Sequence, residues 1–214
     1  YSPLAAEALG DSDDPDDVPS DDRDYLDGIT DALDEFVGSR PVVGVMGGHA
    51  LARDTIGYAE AAGLGRSLAA AGLVVATGGG PGAMEAANLG ALARDESALA
   101  ASLEGLAVVP SFRPSVTAWV TTALRVRAEL PPTDASCSLG IPTWFYGHEP
   151  PSVFCDGIGK YFSNAIREDG LLARATAGLV VLEGAAGTVQ EIFQAVTPLF
   201  YAPAHTSLAP LVLV

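Results

Sequence analysis

Three times along this chain an uninterrupted apolar run ends in glycine and gives way to a helical pattern, and this recurrence restricts the fold more than any other feature. Val42, Val43, Val45 and Met46 break at Gly47-Gly48, and residues 59–71 follow at helical spacing, with Gly72 where a helix C-terminus needs it. Residues 73–77 break at Gly78-Gly79-Gly80-Pro81-Gly82 before an alanine-rich helix over 83–94. Residues 177–182 break at Gly184-Ala185-Ala186-Gly187 before a helix over 188–199. Strands apolar on both faces and alternating with helices imply a parallel sheet buried on both sides. The expected fold class is α/β, a Rossmann-like three-layer sandwich with a mostly parallel sheet. Ligands of such sheets sit beyond the carboxyl ends of the strands, where all three glycine turns fall.

The rest of the chain is less strongly patterned. Tyr25, Leu26, Ile29, Leu33 and Phe36 recur at helical spacing and predict an amphipathic helix over 24–37. Residues 106–109 and 138–141 are weaker strand candidates, 114–128 and 157–175 read as helices, and 211–214 as a last strand. Of the 27 acids, thirteen stand in the first forty residues against two arginines, so most of the net charge of −16 belongs to that end. Residues 1–23 are therefore expected to be an acidic mobile segment, and 24–214 a single nucleotide-binding domain.

Composition excludes several functions. A chain this acidic, with no basic patch, repels nucleic acid. Cys137 and Cys155 fit no zinc or disulfide framework, and His49, His148 and His205 lack metal-ligand spacing, so no metal is expected. No stretch of eighteen apolar residues and no basic-then-apolar leader occurs, which gives the expectation of a soluble cytoplasmic protein with no membrane partner.

A glycine turn that opens a helix can bind an anion without lysine, because the backbone approaches closely and the first helical N–H groups carry a partial positive charge. That matters in a chain whose single lysine is Lys160. Neither a G-x-x-x-x-G-K-[ST] loop nor a G-x-G-x-x-G fingerprint is present, which argues against ATPase and dinucleotide-binding readings. Trp144-Phe145-Tyr146 could stack a base or simply pack. Thr188-x-x-Glu191 has the spacing of a capping box, in which Glu191 would bond the Thr188 amide. Arg113 and Arg167 have a plain reading as surface ion-pair arginines.

The run from Thr77 to Asn88, which reads T-G-G-G-P-G-A-M-E-A-A-N, with Gly184-Ala185-Ala186-Gly187-Thr188-Val189-Gln190-Glu191 a hundred residues later, resembles the LOG family. That family was once labelled "lysine decarboxylase", and the likeness is to its branch of nucleotide 5′-monophosphate nucleosidases. The resemblance implies a Rossmann-like nucleotide-binding fold, a homodimer or larger assembly, no cofactor, and hydrolysis of a nucleoside monophosphate to free base and ribose 5-phosphate. A pyridoxal-phosphate decarboxylase would need a Schiff-base lysine, and nothing around Lys160 resembles such a site. Two positions depart from the family's P-G-G-x-G-T-x-x-E: Glu183 replaces proline and Ala185 replaces glycine. A carboxylate at 183 would oppose a phosphate. The family also uses an arginine about twenty-three residues ahead of the motif glutamate, within a segment resembling M-H-x-R-K; here Arg167 precedes Glu191 by twenty-four, and Ser163-Asn164-Ala165-Ile166-Arg167-Glu168 otherwise lacks that pattern.

The resemblance implies catalytic roles for Glu191, which would steady the oxocarbenium ion or activate water, and for Arg167. With the glycine turns it gives a candidate phosphate and nucleotide set of Gly47, Gly48, Gly78, Gly79, Gly80, Gly82, Met84, Glu85, Arg113, Gly184, Gly187 and Thr188. The alternative function is a non-catalytic nucleotide-binding protein of the same fold, which the departures at 183 and around Arg167 favour.

Overall fold

A computed structural model describes residues 20–131, 137–144, 150–203 and 208–214. The acidic stretch up to residue 19, Phe145, Tyr146, His148 and His205 lie outside these residues. The chain runs α1 (Ser20–Val37), β1 (Val42–Met46), α2 (Ile56–Ala70), β2 (Val74–Thr77), α3 (Ala83–Leu92), α4 (Glu96–Ala107), α5 (Val116–Glu129), β3 (Ser138–Gly140), β4 (Gly157–Ile158), α6 (Asn164–Arg174), β5 (Gly178–Val181), α7 (Ala186–Tyr201) and β6 (Leu211–Leu213). The six strands form one sheet in the order β4-β3-β2-β1-β5-β6, and every neighbouring pair is parallel. This is the α/β, Rossmann-like architecture expected from the glycine-punctuated strands.

Period-two alternation assigns the strand side chains to the two faces. Val42 and Met46 of β1, Val74 and Ala76 of β2, and Leu179 and Val181 of β5 pack with Leu33 of α1 and Leu171 of α6. Val43, Val45, Val75 and Val180 point the other way, against Ala87 and Ala91 of α3. Both faces are therefore covered, which is why these strands carry no polar face. The predicted amphipathic helix is present as α1, with Leu33 buried and Leu26, Ile29 and Phe36 packed beside it.

Helices α2 and α3 meet through glycine. A Cβ at Gly65 would overlap the Ala87 carbonyl, and one at Gly90 would overlap the Ala62 carbonyl. Backbone atoms cannot rotate aside as a side chain can. Gly90→Ala is therefore expected to force the helices apart at a cost of about 1–3 kcal/mol. Calorimetry should read this as a Tm loss of roughly 2–12 °C, and an unchanged Tm would show that the contact yields freely.

Two expectations are corrected. Residues 106–109 are not a strand: α4 begins at its cap Asp95, whose side chain accepts from the Ala98 amide, and its buried stripe of Leu99, Ser102 and Leu106 runs at helical spacing. Residues 157–175 are not one helix, because Gly157 and Ile158 pair with β3 and α6 starts only after Ser163. Among the described residues no helix is long and apolar enough to cross a membrane.

Candidate functional site

The strand order reverses at β1. The chain steps outward through β2, β3 and β4, then returns to the other side of β1 with β5 and β6. Loops diverge at such a switch point, leaving a crevice beyond the carboxyl ends of the strands. A cleft of about 990 Å³ occupies that place. Gly47 and Gly48 follow β1, Gly78, Gly79 and Gly80 follow β2, and Gly184 and Gly187 follow β5, and all seven line it. The loops are tied together by backbone bonds, with the Gly48 amide donating to the Glu183 carbonyl (3.0 Å) and the Ala83 amide to the Gly48 carbonyl (3.1 Å).

The turn after β2 is held from below by a buried polar chain. The Thr77 hydroxyl donates to Asn88 Oδ1 (2.6 Å) and accepts from the Gly79 amide (3.0 Å). Asn88 Nδ2 in turn donates to Ser138 Oγ (2.9 Å). Gly79 has φ +67 and Gly82 φ +73, a region that disfavours any side chain. At Gly82 a Cβ would also overlap the Gly48 carbonyl, so this glycine permits the two loops to touch.

The first turn of α7 has no side-chain cap, its N-cap being Ala185. Its leading N–H groups thus lack intrahelical acceptors where Gly184 and Gly187 line the cleft. A Cβ at Gly184 would overlap Thr188 Oγ1, so the threonine side chain folds over that glycine. The capping-box alternative for Glu191 fails here, because Thr188 is the third residue of the helix rather than its cap.

Glu191 bonds Arg167 instead. Arg167 Nη1 donates to Glu191 Oε1 at 3.2 Å, and the two residues are 8% and 7% exposed. The plain reading of Arg167 as a surface arginine is therefore excluded. Arg167 Nη1 lies about where a Gly78 Cβ would be in contact, at 3.1 Å, so the pair sits directly behind the β2 turn. Burial pushes the Glu191 carboxyl above the ordinary carboxylate range; Arg167 pulls it back and Glu168 adds to the rise. The Arg167 Nε–H is buried with no acceptor among the described residues.

Three members of the candidate set are not brought to this cleft. Glu85 is fully buried and its carboxylate is occupied: Arg53 donates to both oxygens, at 3.0 and 2.6 Å, and the Tyr58 hydroxyl donates at 2.9 Å. Arg113 stands exposed on the loop before α5 and, with Glu85 and Gly82, lines a separate cavity of about 240 Å³. Met84 does line the main cleft, with Sδ near Gly78.

Sequence reasoning passed over several lining groups. Lys160 and His49 both border the cleft. The Lys160 ammonium rests 3.5 Å from the Trp144 ring centroid, and burial lowers its pKa. Trp144 itself is 53% exposed. Glu168 also lines the cleft, and Asn164, Arg167 and Glu168 share one face of α6 at i, i+3 and i+4. That spacing was the available signal. Glu183 is exposed at the rim, as its place beside Gly184 suggested.

Fold and cleft define an α/β protein of Rossmann-like type with glycine-lined helix starts at the sheet's switch point. Residues 40–101, from β1 through the β2 turn into α4, match the SLOG cluster4 family (LDcluster4), a LOG-type group of the SLOG superfamily, in keeping with the LOG resemblance of the glycine motif. No curated protein matches the chain. Among solved structures, the chain is similar to the molybdenum cofactor binding protein of Rippkaea orientalis, with 22% identity, TM-score 0.47, and coverage of 82% of this chain and 77% of that one. It is also similar to TM1055, a structural genomics target, with 21% identity, TM-score 0.43, and coverage of 72% and 68%.

Proposed function

We propose that the protein hydrolyses the N-glycosidic bond of a nucleoside 5′-monophosphate, releasing free base and ribose 5-phosphate. The observation that carries this reading is the buried Arg167–Glu191 pair placed behind the β2 glycine turn, beside the uncapped start of α7. The phosphate takes the backbone amides of the glycine turns, where a helix dipole favours an anion. The ribose then lies near Glu191. As the C1′–N bond lengthens, its electron pair leaves with the base and positive charge grows on the ribose, which a nearby carboxylate stabilises. Water adds to C1′ and gives its proton to Glu191, the base takes a proton from solvent as it departs, and Glu191 returns its own to solvent, so one water is consumed overall.

Release of ribose 5-phosphate from a panel of AMP, GMP, CMP, UMP and cytokinin-type monophosphates tests the proposal, and no release from any of them would sink it. A second reading, a non-catalytic nucleotide binder, is favoured by the Glu183 carboxylate at the rim, which opposes a phosphate. Thermal stabilisation by nucleotides without turnover would select it. Action as one domain over 24–214, self-association and a cytoplasmic location belong to the leading reading, and sedimentation tests the second of these.

Lys160 borders the cleft with its ammonium against Trp144 and makes no ion pair with any described carboxylate. A hydrogen bond to a charged group contributes about 1.5–3 kcal/mol. Lys160→Met is thus expected to weaken mononucleotide binding by roughly tenfold or more in calorimetric titration, and unchanged affinity would place the anion elsewhere.

A further inference from the structure

Two buried carboxylates share one guanidinium behind the glycine turns. Arg167 Nη1 bonds Glu191 at 3.2 Å, and Arg167 Nη2 stands 3.5 Å from Glu168 Oε1. The two acids are not equivalent. Glu168, 3% exposed, accepts from Asn164 Nδ2 on one oxygen (2.7 Å) and from Gln190 Nε2 on the other (3.0 Å). Glu191 accepts only from Arg167 among the described residues. Asn164 also accepts from Arg167 Nη2 at 2.7 Å through Oδ1, so a single amide orients both the cation and the competing acid.

A carboxylate with a donor on each oxygen holds negative charge far better than one with a single donor. Where two neighbouring carboxyls differ in this way, the environment gives them different roles. We propose that Glu168 is a positioning residue: held by Asn164 and Gln190 and sharing the Arg167 guanidinium, it leaves Glu191 as the member of the pair that exchanges a proton with water or ligand. The proton-holding role rests on the reading of Glu191 given above; the division of charge does not.

The charged groups bearing on Glu191 are Arg167 and Glu168 from α6, and burial raises the Glu191 pKa with Glu168 adding to the rise. Lys160, His49, Glu60 and Glu183 border the same cleft from other elements.

The test is a carbon-13 NMR titration of the Glu191 carboxyl in the full chain, beside the pH profile of turnover. In Glu168→Gln the negative neighbour is gone and Arg167 serves Glu191 alone, so the Glu191 midpoint moves to lower pH. The acid limb of the rate profile moves with it, and kcat falls more than KM rises. Glu168→Asp keeps the charge and restores the midpoint toward that of the parent, which separates charge from folding. A Glu191 midpoint that stays in place or rises in Glu168→Gln overturns the inference. Should the midpoint move while no nucleotide is hydrolysed, the charge assignment stands and the hydrolase reading falls.

Discussion

Glu191→Gln is expected to lower kcat/KM for a nucleoside monophosphate by about 10²–10⁴-fold, the usual contribution of a positioned acid or base. The loss should be chemical rather than structural. Glutamine has the same shape, α7 is not capped by residue 191, and Arg167 retains Asn164 and Glu168 as partners. The Tm should therefore hold. Because burial raises the Glu191 carboxyl above the ordinary carboxylate range, turnover in the parent protein should climb with pH along a limb lying above that range, as the base form appears.

The sign for stability is the opposite. A group whose folded pKa is raised contributes stability below its unfolded value, and that contribution is lost as pH rises through the folded one. The parent should thus lose stability across that window relative to Glu191→Gln, which has nothing to ionise. The rate profile of the variant should lack the limb. Full activity in Glu191→Gln, or an acid limb unchanged by it, would remove Glu191 from the reaction.

How far the sequence reaches is visible in the same residues. The three glycine turns were legible because strand, turn and helix are local events with local signals, and a parallel sheet follows from strands that are apolar on both faces. The meeting of Gly48 with Glu183 was implied by topology alone, since ligand crevices form where strand order reverses. What stayed hidden is pairing over distance. Glu85 and Glu191 are both glutamates near the start of a helix after a glycine turn, and nothing local separates them.

The difference comes from the partners. Arg53, thirty-two residues upstream, reaches Glu85, whereas Arg167, twenty-four residues upstream, reaches Glu191. Residues 106–109 misled for a related reason: a buried apolar stripe over one helical turn cannot be told from a short strand by periodicity. Lys160 was dismissed with the cofactor chemistry it could not perform, although the only lysine of an acidic chain has reason to stand near an anion.

The same contrast sets the second large effect. Glu85→Ala is expected to destabilise the fold by about 3–5 kcal/mol, the cost of leaving one partner of a buried ion pair uncompensated, which corresponds to a Tm loss of roughly 6–20 °C. Arg53 is 2% exposed, and besides Glu85 it holds the Trp119 carbonyl at 3.1 Å with its guanidinium 4.0 Å from the Trp119 ring centroid. It cannot swing into water without giving up α5. Tyr58, wholly buried, would lose its acceptor as well.

Replacing both charges, Arg53→Met with Glu85→Leu, removes the unpaired ion and should recover part of the loss. Recovery stays incomplete because the buried Tyr58 hydroxyl then lacks its acceptor and the Trp119 carbonyl loses the bond from Arg53. Turnover per folded molecule should remain close to that of the parent in Glu85→Ala, since Glu85 does not line the main cleft. A Tm within a degree of the parent would mean that Arg53 finds another partner. A stable protein that loses turnover would instead return Glu85 to the ligand, so the pair Glu85→Ala and Glu191→Gln separates a carboxylate that holds the fold from one that does chemistry.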